Sequence, residues 1–292
     1  MFLQQIVNGL TIGSFYALVA IGYSMVFGVL ELTNFAHSAV FMMGGYVACV
    51  ALQAGVSFPV AFLLALITCG AIGILIDRSC LMPMRKRGAK RISYLICTIG
   101  LSTFLQNLIN LVFGSESIPF KEVLARRQYT IGSNLVISNL QIIIWIMSIV
   151  LVAVTTFLVN KTKLGASMRA VAQNPTAAKL MGVNTDRVIT FTFFLGSTLA
   201  AVAGTMFAMY YYSVDLQMGF TVGMKTFASA VLGGIGSLPG AVVGGYLIGI
   251  IEALFAGYIS SGFKDAIGFI VLIIVLLVRP SGLMGRKSVS KV

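Results

Sequence analysis

Charge is what this sequence has least of. Only 10% of its 292 residues are Asp, Glu, Lys or Arg, against about 25% in soluble proteins. The runs 1–30, 32–76, 92–115, 128–160, 188–214, 226–251 and 266–278 carry none at all. A water-soluble fold is excluded by such runs. A membrane-spanning helix needs roughly 20 apolar residues, so the 45-residue run 32–76 must hold two. Gln53, Gly55, Ser57 and Pro59 supply the turn between them.

Other shortages close off other classes. The four cysteines, Cys49, Cys69, Cys80 and Cys97, are scattered without close pairs or a histidine at ligand spacing, so neither a disulfide framework nor a zinc site is indicated. They read as small buried hydrophobes. His37 is the single histidine and makes no proton relay by itself. Paired carboxylates and nucleophile–base patterns are missing too, which argues against an enzyme. No Gly-Lys-Ser/Thr follows the glycine-rich run near 233–249, so no phosphate cradle is expected and the chain should bind no cofactor. MFLQQIVNGL has no basic n-region and leads into an uncharged run too long for a signal peptide, so it is expected to stay as the first span.

What charge there is has one sign and a pattern. The net charge is +12, with six basic residues between Arg78 and Arg91, five between Lys161 and Arg187, and four between Arg279 and Lys291. Lys and Arg beside spans mark cytoplasmic loops, and such patches can also meet anionic lipid heads. Without an aromatic-rich soluble module, nucleic acid is not the expected partner. The connection 114–139 holds three basic and two acidic residues, and is placed outside. Alternation in its YTIGSNLVI segment suggests short strands. Spans fall near 5–30, 35–53, 58–77, 92–113, 140–160 and 188–212. The expected architecture is an all-α polytopic membrane helix bundle, a single transmembrane domain over 1–292. It has eight or nine crossings with broken or re-entrant segments, the C-terminus inside and the N-terminus outside.

Few polar groups remain to carry function within it. Glu31, His37, Asp215, Lys225, Glu252, Lys264 and Asp265 are the ionisable residues near the spans. Charge in a bilayer is costly, so each is a pathway candidate, although most are expected at wet segment ends. ELTNFAH, Glu31 to His37, is either a plain turn or a re-entrant segment, and Asn34 and His37 are its pathway candidates. Gly233, Gly234, Gly236 and Gly240 lie in GGIGSLPG, poor material for one straight helix. That run reads as two segments broken around 236–240. Unwound backbone at membrane depth is tolerated only where it is buried in protein or lines a cavity, which makes these glycines pathway candidates as well. Gly9 with Gly13, and Gly240 with Gly244, have small-xxx-small spacing and are expected to pack within the chain.

RAVAQNPTAAKLMGVNTDR, Arg169 to Arg187, is a polar interruption with a helical pattern of its own. Asn174 suits the N-cap, Pro175 the first helical position and Gly182 the stop after the last turn. Ala177, Leu180 and Met181 share one face of about two turns. So short a helix is marginal alone in water. It must lie on the bundle, on lipid, or in a groove of another protein.

Thr176-Ala177-Ala178-Lys179-Leu180-Met181-Gly182 resembles the E-A-A-x-x-x-G loop of bacterial ABC importer permeases, with Thr176 where Glu is usual and without the Leu-Pro ending. Across the chain, GLTIGSFYALVAIGYSMVFG, NFAHSAVFMMGGY, NTDRVITFTF, GMKTFASAVLGGIGSLPGAVVGGYLIGIIEAL and LLVRPSGLMGR together resemble the permeases of high-affinity branched-chain amino acid ABC importers, the LivH type. The resemblance implies a bacterial inner-membrane subunit that pairs with a similar second permease subunit and receives substrate from an extracytoplasmic amino-acid-binding protein. Two cytoplasmic ATP-binding subunits would hold ATP and Mg. Loop 161–187 would be the cytoplasmic coupling loop, with the coupling helix at Asn174, Pro175, Thr176, Ala177, Ala178, Leu180, Met181 and Gly182, and with 164–172 beneath it. A bulky charge at Ala178 is then expected to uncouple transport. Alternatives are an ABC permease for urea, short amides or other amino acids, and an ion-coupled secondary transporter.

Overall fold

Where lipid replaces water, each segment must satisfy its own backbone N–H and C=O groups, and the helix does so locally. A computed structural model describes residues 1–125, 127–131, 135–279 and 282–285. Its elements are α1 (Phe2–Leu30), α2 (Ala36–Gln53), α3 (Phe58–Leu75), a π-helical segment (Ile76–Leu81), α4 (Met82–Lys86), α5 (Arg91–Phe113), β1 (Ile118–Pro119), β2 (Gln128–Ile131), β3 (Leu135–Ser138) and α6 (Asn139–Lys161). Then come α7 (Lys163–Gln173), α8 (Pro175–Leu180), α9 (Thr185–Tyr211), β4 (Ser213–Val214), α10 (Gln217–Gly233), α11 (Leu238–Tyr258) and α12 (Lys264–Val278).

Among the described residues, seven helices are long and apolar enough to cross a membrane: α1, α2, α3 continued through α4, α5, α6, α9 and α11. At 17 and 15 residues, α10 and α12 are shorter, about 25 and 22 Å at 1.5 Å per residue. Both pack against α11. The protein is thus a multi-span membrane bundle, as its charge-free runs require.

Its core is formed where α1 packs on α9 and α11, and α2 on α3 and α9. Small residues permit this closeness, which matters where no hydrophobic effect drives helices together. A Cβ on Gly9 would stand 2.6 Å from the Ile250 Cα, and one on Gly44 2.5 Å from the Ala201 Cα. The Gly9/Gly13 seam is therefore intramolecular, as expected. The outer helices α3, α6 and α12 turn aliphatic side chains outward, among them Ile67, Ile146 and Leu277. Those faces suit lipid.

Two ends can be told apart. At one, β2 pairs antiparallel with β3 and β1 with β4. Gln4 clasps the Val136 backbone through Nε2 to O at 3.0 Å and N to Oε1 at 2.9 Å. The start of the chain and the 114–139 connection therefore share this ribbon end. A capping box starts α6 there, with Gln141 N donating to Ser138 Oγ at 3.2 Å and Ser138 N to Gln141 Oε1 at 2.9 Å. At the other end lie α4, α7, α8 and most of the described basic residues.

The glycine-rich break belongs to that second end, which corrects the expectation of unwound backbone at membrane depth. Residues 234–237 make a tight turn between α10 and α11, with φ of 102° at Gly234 and 89° at Gly236. Only glycine adopts such angles without strain. Gly233 and Gly240 pack backbone to backbone, and Gly236 faces Gly28 near the end of α1. Leu283 N and Met284 N donate to the Leu232 and Gly233 carbonyls at 2.8 and 2.9 Å, so the segment 282–285 satisfies the last carbonyls of α10. Of the closing LLVRPSGLMGR motif, Pro280, Ser281 and Arg286 lie outside the described residues.

Candidate functional site

The polar interruption folds as its residues prescribe. Asn174 Oδ1 accepts from Ala177 N at 3.0 Å, Pro175 opens α8, and Gly182 takes φ 83° after its last turn. Asn184 repeats the device for α9, accepting from Arg187 N at 3.0 Å. Leu180 and Met181 are each 84% exposed, and Thr176 and Ala177 are exposed too. Ala178 is the residue turned inward, 5% exposed. The face shared by Ala177, Leu180 and Met181 thus lies uncovered, while the opposite side rests on α7 and α9. A bulky charge at Ala178 would therefore push α8 off its own support, which makes it a poor probe of a partner contact.

Beneath α8, α7 occupies the supporting position foreseen for 164–172, packed on α1, α6 and α9. Thr162 Oγ1 caps it through Gly165 N at 3.1 Å, and Arg169 reaches back to the Val159 carbonyl. A buried ion pair braces the same end. Asp77, wholly buried in the π-helical segment, accepts from Arg85 Nη1 at 2.6 Å and from Thr190 Oγ1 of α9 at 2.6 Å. Arg85 also stands 3.7 Å from Asp186 in the first turn of α9. Displacement of α8 toward the bundle therefore meets hydrogen-bonded helices in α7 and α9.

Inside the bundle the structure assembles a charge cluster. Lys225 Nζ of α10 lies 2.6 Å from Glu252 Oε1 of α11 and 2.6 Å from Asp265 Oδ1 of α12. Tyr16 of α1 donates its hydroxyl to Glu252 Oε2 at 2.7 Å. Lys225 and Glu252 are each 3% exposed. Most of the ionisable residues are expected at wet segment ends; for these two, packing of α10 and α11 against α1, with α12 against α10 and α11, gives burial instead. With Asp215 and Lys264, the cluster lines a cavity of about 280 Å³.

The ELTNFAH group divides. Glu31 ends α1 in a left-handed conformation and pairs with Arg91 at the surface, whereas Asn34 and His37 are buried. His37 sits against Gly22 of α1, where any Cβ would strike its imidazole, and Tyr23 meets it edge-on with ring centroids 4.8 Å apart. Among the described residues, Asn34 Oδ1 and His37 Nε2 have no hydrogen-bond partner, whereas the Tyr23 hydroxyl lies beside Ser38. Asn34 and His37 are thus brought together, while Gly234 and Gly236 lie apart in the turn between α10 and α11, with Gly233 and Gly240 in the helix ends beside it.

Residues 5–276 match the family described as the branched-chain amino acid transport system / permease component. The chain belongs to this family. LivH of Salmonella typhimurium, a high-affinity branched-chain amino acid transport system permease protein, is 41% identical over 304 aligned residues, which cover 100% of this permease and 98% of LivH. BraD of Pseudomonas aeruginosa, described in the same words, is 40% identical with the same coverage. Among solved structures, PsaBC from Streptococcus pneumoniae in complex with Fab aligns over 96% of this permease and 93% of that chain, at 16% identity and a TM-score of 0.49. That last likeness carries no weight for function.

The permease holds two groups that the sequence alone does not assemble. Asp77 hides because it directly follows a charge-free run and reads as the first loop residue. Lys225 and Glu252 carry a signal in retrospect: opposite charges, one on each side of the same glycine-rich break, come onto neighbouring antiparallel helices when the break closes into a hairpin. Ionised groups in a bilayer are affordable only when paired.

Proposed function

We propose that this permease is the membrane subunit of an ABC importer that carries branched-chain amino acids inward. ATP hydrolysis on partner subunits drives it, with ATP and Mg bound there. The match to LivH over the whole length supports this reading most directly. The geometry of α8 supplies the means of coupling. Its capped helix, six residues long, offers Leu180 and Met181 to a groove on a cytoplasmic ATP-binding subunit, while Ala178 keeps it on α7. ATP shifts the permease between outward- and inward-facing packings only through contacts that differ between those two states. A short rigid knob braced by α7, Asp77 and Arg85 can pass that difference to α1, α6 and α9. The α8 end is then cytoplasmic and the ribbon end, with the N-terminus, extracytoplasmic. The assembly contains a second permease subunit, two ATP-binding subunits and an extracytoplasmic binding protein that supplies most of the selectivity.

The test is reconstitution of the full assembly in proteoliposomes. Import of Leu, Ile or Val should require ATP and the binding protein. Leu180→Asp with Met181→Asp should lower import at least tenfold and release the ATPase subunits, while the permease remains folded, since both positions are open to solvent. Import that survives without ATPase subunits and collapses with an ion gradient would refute the reading in favour of a secondary carrier.

A further inference from the structure

Most outward faces of this bundle are aliphatic, and one is not. On α5, Ser102, Gln106 and Asn110 follow each other at i, i+4 and i+8, with Thr103 and Asn107 beside them, so one stripe of the helix is polar. Thr103, Asn107 and Asn110 are exposed, and Ser102 and Gln106 half-buried. Thr103 Oγ1 and Asn107 Nδ2 satisfy themselves on α5 carbonyls at 3.1 and 2.8 Å. A hydroxyl or amide without a partner costs about 4–8 kcal/mol in hydrocarbon, so a stripe that adds Ser102, Gln106 and Asn110 to these two does not face lipid tails.

The stripe borders a cavity of about 260 Å³ between α5 and α10. Both helices lean on α2, and Tyr23 of α1 also lines the space. The Tyr23 hydroxyl is buried in this wall beside Ser38, its hydrogen-bonding neighbour. Ser38, Ser102, Thr103 and Gln106 add further hydroxyl and amide groups, and Phe35, Ile99, Phe220 and Met224 add apolar wall. Ser102 is the twelfth residue of the 23 in α5, which puts the cavity near the middle of the span. No charged side chain lines it. A larger groove, between α6 and α11, is walled mainly by Ile149, Val152, Ala153, Phe157 and Val242 and suits acyl chains, and the cavity of about 280 Å³ at Lys225 is lined by charged side chains.

Resting on the transport reading above, we infer that the α5–α10 groove is the wet passage of this permease and that its occupant is a zwitterionic amino acid with an aliphatic side chain. Hydroxyls and amides exchange with the hydration shell of the ammonium and carboxylate, while Ile99, Phe220 and Met224 receive the side chain. The volume falls below the range of about 300–1,000 Å³ usual for drug-sized ligands, which fits a solute of amino-acid size. Uncharged partners hold it weakly, as passage requires: a site must let its occupant leave.

Two measurements on the reconstituted assembly decide this. In a background with Cys80 and Cys97 replaced by Ala, the variants Ser102→Cys and Gln106→Cys are exposed to a membrane-impermeant methanethiosulfonate, with Ile146→Cys on the lipid face of α6 for comparison. The groove positions should react at least tenfold faster. Separately, Thr103→Trp should cut leucine import at least tenfold with ATPase subunits still bound, while Ile146→Trp transports at the wild-type rate. If Thr103→Trp does not assemble, Gln106→Leu takes its place. Reaction at Ser102→Cys and Gln106→Cys no faster than at Ile146→Cys overturns the inference, and so does wild-type import by the blocked variant. Should the wild-type assembly import no branched-chain amino acid, the transport reading fails on its own, and the thiol reaction still decides whether the groove is wet.

Discussion

Replacing Lys225 by Met removes the ammonium shared by two carboxylates, and those carboxylates are not equivalent. The Asp265 side chain is 51% exposed and can be hydrated in place, whereas that of Glu252 is 5% exposed and keeps only the Tyr16 hydroxyl. Removing one partner of a buried pair costs about 3–5 kcal/mol, because the other charge stays buried. Lys225→Met is therefore expected in that range. Glu252→Met should cost less, since Lys225 still meets Asp265 at 2.6 Å. Asp265→Asn, at a half-exposed site, should cost under about 1 kcal/mol. The double variant Lys225→Met/Glu252→Met leaves no unpaired buried charge and should be more stable than Lys225→Met alone, with a coupling energy of roughly 2 kcal/mol or more. Equilibrium unfolding of the purified permease in mixed detergent–SDS micelles, followed by far-UV circular dichroism, measures all four. A Lys225→Met cost under about 1 kcal/mol, or a cycle additive within about 0.5 kcal/mol, would refute the reasoning by showing that water reaches Glu252.

Two further outcomes test packing and bracing. A Cβ at Gly44 meets the Ala201 backbone at 2.5 Å, whereas one at Gly100 meets nothing within 4 Å. Gly44→Ala should thus destabilise by about 1–3 kcal/mol through overpacking, and Gly100→Ala should stabilise by up to about 1 kcal/mol through helix propensity. Thermal inactivation in detergent reads both, and equal effects would contradict the α2–α9 contact. Asp77→Asn removes the charged acceptor of Arg85, and a hydrogen bond to a charged group contributes about 1.5–3 kcal/mol. Limited proteolysis should then open the 85–91 segment in the variant and spare the wild type; unchanged cleavage would show that Asp77 does not brace this end.

Sequence by itself determined every element whose cause is local. A bilayer forces each span to close its own hydrogen bonds, so most charge-free runs translate into helices, while alternation marks the strands at Gln128–Ile131 and Leu135–Ser138. Asn174, Pro175 and Gly182 determine α8 in the same way, because caps and stops act within one turn. Distance along the chain marks where this legibility ends. Lys225, Glu252 and Asp265 come from three helices, and only the packing of α10 and α11 against α1, with α12 against α10 and α11, decides that they meet in the interior rather than at wet ends. Tertiary contact also decided which way Ala178 points, turned Gly233 to Gly240 into a hairpin at the α8 end, and left the polar stripe of α5 uncovered beside Tyr23. The physical reason is common to all of these. Within lipid, burial next to another helix depends on shape and hydrogen-bond partners across spans, and a run of apolar residues records neither.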